Sequence, residues 1–326
     1  MNKNYIKSIN ITTKKYFKFF IFIVLMIGFN SKSYACACGC GIFNVATSNI
    51  IPSCQGGNAF LQYDYISQSR NWSKHKASSN HNHDLAIRTQ TYTAGLQYMF
   101  SRKWGIETRL PLVDRYVEIT NHGATHGSPN YTTSVRNTSL GDVSLRGIYS
   151  GFSDDMSTGL IFGVRLPTGQ TNNKAFGSRN KQIGTGSTNS ILGFYHTGNI
   201  NKFESLNYFT QFIWEKPLVI HRGYHPGQEI SGSLGVVKSF SGFNQIKKIS
   251  PMVQIIGTKK QQDSGYNDPA HNNNSGYVFG YFAPGIELSL ENFKIYADIQ
   301  LPFYRSVNQT QIVPQNLYKL ILSYNF

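Results

Sequence analysis

Apolar and polar side chains change places at successive residues of this chain from about residue 58 to its last residue. A period of two is satisfied by extended backbone, whose side chains point alternately to opposite faces. In Phe293-Lys294-Ile295-Tyr296-Ala297-Asp298-Ile299-Gln300-Leu301 every odd position is apolar, and the even ones include Lys294, Asp298 and Gln300. Tyr92 to Phe100 repeats the pattern with the even positions apolar, and Leu206 to Phe212 repeats it again. Such a strand suits a sheet with hydrocarbon on one side and water on the other.

About twelve segments of this kind follow one another, near 58–72, 86–100, 104–120, 137–152, 157–170, 184–200, 204–218, 228–240, 249–262, 275–290, 292–307 and 311–326. Their connectors alternate in length. Ser101-Arg102-Lys103, Ser153-Asp154-Asp155, Asn201-Lys202 and Glu291-Asn292 are tight, whereas 73–85, 121–136, 171–183 and 263–274 are long and polar. An even strand count, with short periplasmic turns and long outer loops, is the pattern of a single-chain outer-membrane barrel. The expected fold class is therefore all-β, one transmembrane antiparallel β-barrel of about 12 strands. A soluble sandwich is the rival, but it leaves the terminal Phe326 and the aromatics Tyr98, Phe100, Trp104 and Trp214 near strand ends without a purpose.

Composition agrees. Aromatics make up 14% of the chain, charged residues only 14%, and there are 30 glycines; mean hydropathy is -0.30. Beyond residue 35 no stretch approaches the roughly 20 apolar residues that a membrane helix needs.

The two ends point to the same destination. Lys3, Lys7, Lys14, Lys15 and Lys18 precede the apolar run Phe19 to Phe29, and Ser33-Tyr34-Ala35 offers a small-x-small cleavage site, the layout of a secretory leader. Three segments are expected: a signal peptide at 1–35, a Cys-containing periplasmic or plug segment at 36–57, and the barrel at 58–326. A signal-anchor helix competes with cleavage, but Gly28 and Asn30 interrupt the run. Lipid modification of Cys36 also competes, with Ser33 standing where such signals usually carry Leu. At the other end, the strand Leu317 to Phe326 alternates and closes on an aromatic, so Tyr324 and Phe326 are read as the signal for the barrel-assembly machinery.

The six lysines before residue 36 leave with the leader, which holds no acid, so the formal +15 falls to +9. The remaining basic residues are scattered and form no basic helical face, which argues against nucleic acid. Outer-membrane lipid and lipopolysaccharide, or an anion-favouring pore, suit the charge better.

A charge on the lipid face at mid-membrane costs about 2–4 kcal/mol. Asp64, Arg88, Glu107, Arg109, Asp142, Arg146, Arg165, Glu215, Glu287 and Asp298 are accordingly assigned to the lumen as pore-lining residues. Both signs occur among them, which fits either a solvated pathway or an ion-paired filling, and a barrel of this size is narrow enough for both.

Leu140-Gly141-Asp142-Val143-Ser144-Leu145-Arg146-Gly147-Ile148-Tyr149, followed by Thr158-Gly159-Leu160-Ile161-Phe162-Gly163-Val164-Arg165-Leu166-Pro167-Thr168-Gly169, resembles the mid-barrel hairpin of the outer-membrane "transporter" family associated with meta-pathway phenol degradation. The specific likeness covers about residues 137 to 170. It implies a barrel that gives small, often hydrophobic or aromatic solutes a passive route. Its motifs are structural and name no substrate.

Cys36, Cys38 and Cys40 with Cys54 would meet an oxidising compartment, where disulfides are expected. Three closely spaced thiols also suit Cu(I) or Zn, although structural zinc sites more often use Cys-x-x-Cys pairs. With His75, His81, His83, His122 and His126 in the first two outer loops, a metal-handling surface barrel stands as the alternative function, while solvated polar loops account for the histidines more simply. No resident cofactor is expected. His126-Gly127-Ser128 resembles the His-x-Ser pair of the twelve-stranded outer-membrane phospholipase. That pair sits in a polar loop beside Pro129, and Leu140 occupies the place of that family's Asn, so the chain is not read as an enzyme.

Overall fold

The structure, a computed structural model, describes residues 51–52, 54–78, 84–121, 131–176, 181–200, 205–220, 223–265 and 274–326. The leader, Cys36, Cys38, Cys40, His81, His83, His122, His126 and Ser128 all lie outside the described residues.

Twelve staves close into one antiparallel barrel. They are β1 Gly56–Ser73, β2 Asp84–Met99, β3 Trp104–Asn121, β4 in two pieces (Tyr131–Leu140 and Ser144–Tyr149), β5 Thr158–Arg165, β6 Ser187–Asn199, β7 Leu206–Ile220, β8 Glu229–Lys238, β9 Lys248–Lys260, β10 Tyr277–Ser289, β11 Phe293–Val307 and β12 Thr310–Asn325. Two-residue pieces, Lys76–Ala77 and Phe240–Ser241, extend the pairing of β1 and β9. Each stave bonds to the next in sequence, and β1 pairs with β12 over Asn58↔Asn325 to Ser73↔Thr310. Pairing β1 with β12 removes the two free edges that an open sheet would present to hydrocarbon.

The alternation sorts side chains as expected. Leu61, Leu96, Ile106, Leu110, Phe162 and Leu192 are exposed on the outside. Between them Phe60, Gln62, Asp64, Gln97, Glu107, Arg109, Ile161 and Ile191 are buried within. At the short-turn end the outer face carries a girdle of touching rings: Trp104 with Tyr149 at 4.7 Å, Tyr149 with Phe152 at 5.1 Å and Phe293 with Tyr324 at 4.8 Å between centroids. Aromatics of this amphipathic kind belong at a membrane interface.

The interior is layered. Near the short turns Phe60, Met99, Ile161, Tyr195, Phe209 and Tyr296 form an apolar floor, joined by Ile51 from the segment before β1. Toward the long loops are two further apolar clusters, one around the stacked rings of Tyr277 and Phe279. The other joins Ile87, Val113 and Val117 to Phe176 and Ile183 of the 166–186 loop. Charged side chains occupy the level between floor and loops.

One stave departs from the expected pattern. The segment expected at 137–152 begins at Tyr131 and breaks at residues 141–143, and the segment expected at 157–170 stops at Arg165. Leu112 pairs with Leu140 and Arg109 with Ser144, so three residues stand opposite Leu110 and Pro111. This is a bulge, and it falls beside a proline that has no amide to donate to the ladder. The Gly141 amide donates to the Pro111 carbonyl at 2.8 Å. Beyond the bulge Tyr131–Leu140 pairs with β3 alone among the described residues.

Candidate functional site: a polar chamber beside a break in the wall

Glu107 and Arg109 stand two residues apart on β3 and so share a face. Arg146 on β4 and Gln97 on β2 are the cross-strand partners of Glu107. The Glu107 carboxylate accepts from Arg109 Nε at 2.7 Å, Arg146 Nη1 at 3.3 Å and Gln97 Nε2 at 3.3 Å. Arg165 Nη2 donates to Glu215 Oε1 at 2.7 Å. Asp298 accepts from the Tyr296 hydroxyl at 2.6 Å, and Asp64 accepts from Gln62 Nε2 at 2.6 Å. Lys319 sits in register with both Asp64 and Asp298. Buried ions persist where each finds partners of opposite sign.

Above the Glu107 cluster lies a cavity of about 110 Å3, lined by Asp64, Arg109, Arg146, Arg165 and threonines of β2, with Pro111, Val113, Gly141 and Ile183 toward the break. The break itself is closed by loop rather than strand. The Leu166 amide donates to the Val143 carbonyl and the Val143 amide to Thr168 Oγ1, at 2.8 and 2.9 Å. Asp142 accepts from the Gly169 amide, the Thr185 amide and the Thr185 hydroxyl at 2.9, 2.7 and 2.6 Å. Asn137 Nδ2 donates to Gln170 Oε1 at 2.7 Å across the unpaired edge of β4. The Gly-Asp-Val and Leu-Pro-Thr-Gly motifs thus form one clasp, in which a Cβ on Gly184 would overlap the Gly169 carbonyl. Exposed Leu112 and Leu140 put this clasp at the upper margin of the apolar belt.

Below the chamber, Ile51 and Pro52 lie against Glu107, Arg109, Arg146 and Tyr195 around a cavity of about 10 Å3. Past them a cavity of about 500 Å3 opens at the short-turn mouth, with Cys54 and Met99 in its lining.

Asp64, Glu107, Arg109, Arg146, Glu215, Glu287 and Asp298 are buried inside the wall. Arg165 and Asp142 are partly buried and line the chamber. Arg88 is a correction. It is exposed between the buried Ile87 and Thr89, on the outer face, with its guanidinium 4.9 Å from the centre of the Tyr116 ring. The parity that puts even residues of β2 outside holds for it too. Exposure there costs little because Arg88 shares its level with Glu118 and the exposed Arg136 instead of apolar side chains. Cys54 is exposed and unbridged among the described residues. Described groups of His, Cys, Asp and Glu form no metal-binding cluster. Phe326 exchanges backbone hydrogen bonds with Gly57 at 2.7 and 2.9 Å, and its ring lies 6.2 Å from that of Tyr324.

Lys319 and Arg115 were not among the expected interior charges. Parity marks Lys319, between the outward Tyr318 and Leu320. The odd parity of Glu107 and Arg109 on β3 marks Arg115 as inward too, but not its partners, since it donates to the carbonyls of Lys181 and Gln182 at 3.1 and 2.9 Å, in a loop 66 and 67 residues away.

A closed barrel, greasy outside and ionic within, defines an integral β-barrel protein of the bacterial outer membrane. Within that class the chain belongs to the family described as the putative MetA-pathway of phenol degradation, whose model matches residues 73 to 311. An outer-membrane channel from Pseudomonas putida F1 shares the fold at 9% identity and a TM-score of 0.60, covering 86% of this chain and 100% of its own. The β domain of the Bordetella autotransporter BrkA is a looser fit: 12% identity and a TM-score of 0.46, over 84% of this chain and 100% of that one. No curated protein sequence matches the chain.

Proposed function

We propose that this barrel is a passive route for small hydrophobic or aromatic solutes across the outer membrane. The observation that carries the reading is the juxtaposition of clasp and chamber. Among the described residues Tyr131–Leu140 pairs with β3 alone, and the chamber is lined by Gly141, Pro111 and Val113 beside that interruption. An apolar solute in the outer leaflet reaches such a break without crossing bulk water. At about 110 Å3 the chamber is smaller than the roughly 150 Å3 apolar cavity that accommodates benzene, so it limits passage to solutes no larger than one small ring unless the clasp yields. Ile51 and Pro52 stand between chamber and mouth, which supports a plug role for residues 36–57. The similar Pseudomonas putida protein is itself an outer-membrane channel. The exposed Arg88 on the outer face favours the anionic groups of lipopolysaccharide as neighbours, whereas Arg136 is already paired with Asp114 at 2.7 Å.

The test is uptake of radiolabelled toluene, a single-ring solute, by cells with an intact lipopolysaccharide leaflet, with and without the barrel. Expression is expected to raise the uptake rate. Joining Asn137→Cys to Gln170→Cys with a short bis-maleimide is expected to return the rate to background, the native chain given the same reagent serving as control. Uptake indifferent to both expression and cross-link refutes the route.

A further inference from the structure

Four arginines, Arg109, Arg115, Arg146 and Arg165, line the chamber against two aspartates, Asp64 and Asp142. Asp142 is engaged by three donors of the clasp, and Asp64 stands in register with Lys319. The carboxylates that meet the arginines lie outside the chamber lining. Glu107 Oε1 serves both Arg109 and Arg146, at 2.7 and 3.3 Å, and Glu215 serves Arg165 at 2.7 Å. Three guanidinium groups thus share two carboxylates, and a buried charge without a full counter-ion is costly. Arg109, Ser144 and Arg165 occupy one cross-strand row of β3, β4 and β5, which sets the two arginine backbones about 10 Å apart with the serine between them. Arg109 holds Glu107 through Nε and Nη2. Its Nη1 and the Ser144 hydroxyl have no hydrogen-bond partner among the described residues, and neither is sealed from the chamber. The Arg109 side chain stays 9% exposed and that of Arg165 13%, and inside the wall such surface faces the lumen.

We infer that the chamber is a binding site for a small monocarboxylate of about acetate size. The inference concerns what the chamber holds, and it stands on this geometry whether or not the chamber conducts. A carboxylate offers two coplanar oxygens to the forked donors of a guanidinium group, the pairing in which such hydrogen bonds are strongest. One oxygen accepts from Arg109 Nη1, the Ser144 hydroxyl donates to the same group, and Arg165 faces it from the other end of the row. The negative charge brings the local balance to three against three. The short alkyl end suits Pro111, Val113 and Ile183 in the same lining. Chloride brings the charge without the second acceptor or the apolar end, and a neutral amide brings the shape without the charge.

The deciding measurement is a 13C NMR titration of the full refolded chain in nanodiscs with carboxyl-labelled acetate and, in parallel, with labelled acetamide, at constant ionic strength and with empty nanodiscs subtracted. Acetate is expected to bind saturably and about tenfold more tightly than acetamide, as charge-assisted hydrogen bonds require. Chloride is expected to displace it only at about tenfold higher concentration. Arg109→Gln should weaken acetate about tenfold and Ser144→Ala a few-fold. Glu107→Gln, which removes a counter-ion from the two arginines, should instead tighten acetate several-fold, a direction that mere loosening of the fold does not produce. The three probes on the native chain, with Ser144→Ala, decide the matter if either charge variant fails to fold. Absence of saturable acetate binding, or acetamide binding as tightly, overturns the site; displacement by chloride at equal concentration overturns the carboxylate class. Toluene uptake is read separately. If it persists where acetate does not bind, the route stands without the site; if acetate binds while uptake is absent, the site stands without the route.

Discussion

Asp142 and Thr185 are joined twice, the carboxylate accepting from both the amide and the hydroxyl of the threonine across 43 residues of chain. With the Gly169 amide as a third donor, one carboxylate pins both ends of the loop that covers the break in the wall.

Replacing Asp142 by Ala strips three donors of their acceptor. At about 1–3 kcal/mol for each part-buried group left unsatisfied, the loop is expected to detach while the barrel survives. Limited proteolysis should then cut within 166–186 at rates the native protein does not show, and the folded form should still migrate faster than the heated one on a gel. Asp142→Asn should be intermediate, and Gly184→Ala should resemble the alanine variant because its Cβ meets the Gly169 backbone.

Glu107 holds Arg109 and Arg146 with nearly all of its surface buried. Glu107→Gln leaves two buried guanidinium groups without their counter-ion, at a cost of about 3–5 kcal/mol in urea unfolding. Glu291→Gln provides the comparison. Its pair with Lys247 is exposed on both sides, and such pairs contribute about 0–1 kcal/mol. Equal losses for the two variants would refute the ionic role given to the Glu107 cluster.

Outside the barrel wall, Asp263 accepts from the Tyr224 hydroxyl and from the Gly227 amide at 2.7 Å, with Lys260 Nζ at 3.8 Å. Burial pushes its carboxyl well above the ordinary carboxylate range, and the Gly227 amide offsets only part of this. A group whose folded value is raised stabilises the folded form most fully below its unfolded value. That contribution is lost as pH rises through the raised one. The contact between 223–228 and 261–265 should therefore tighten on acidification, read as Gly227 amide exchange corrected for its intrinsic rate. Asp263→Asn should flatten the profile.

Deleting Phe326 removes the residue that closes the β1–β12 seam against Gly57 and contributes a ring to the girdle. The folded fraction recovered from cells should fall several-fold, while whatever folds keeps native urea stability to within about 1 kcal/mol. A normal folded yield would remove the assembly role given to Tyr324 and Phe326.

Much of this architecture was legible one residue at a time. Ile295, Ala297 and Ile299 alternate with Lys294, Asp298 and Gln300, and extended backbone converts that order into two faces. Glu107 and Arg109 were placed inside by the same rule, whereas Arg88 was misplaced because the cost of lipid exposure was applied to a residue beyond the apolar belt. The Gly-Asp-Val and Leu-Pro-Thr-Gly motifs were visible, but their purpose was not.

The sequence by itself determined that the chain closes into an antiparallel barrel, about how many staves it has, and which side of each faces water, because a two-residue period is a property of local backbone geometry. Tertiary structure alone decided where the wall is interrupted, that Phe176 and Ile183 fold inward, that Arg115 meets the loop at 181–182, and that Ile51 rises into the floor. Those contacts join residues far apart along the chain, and whether two such segments meet depends on the shape of the space the closed barrel leaves between them.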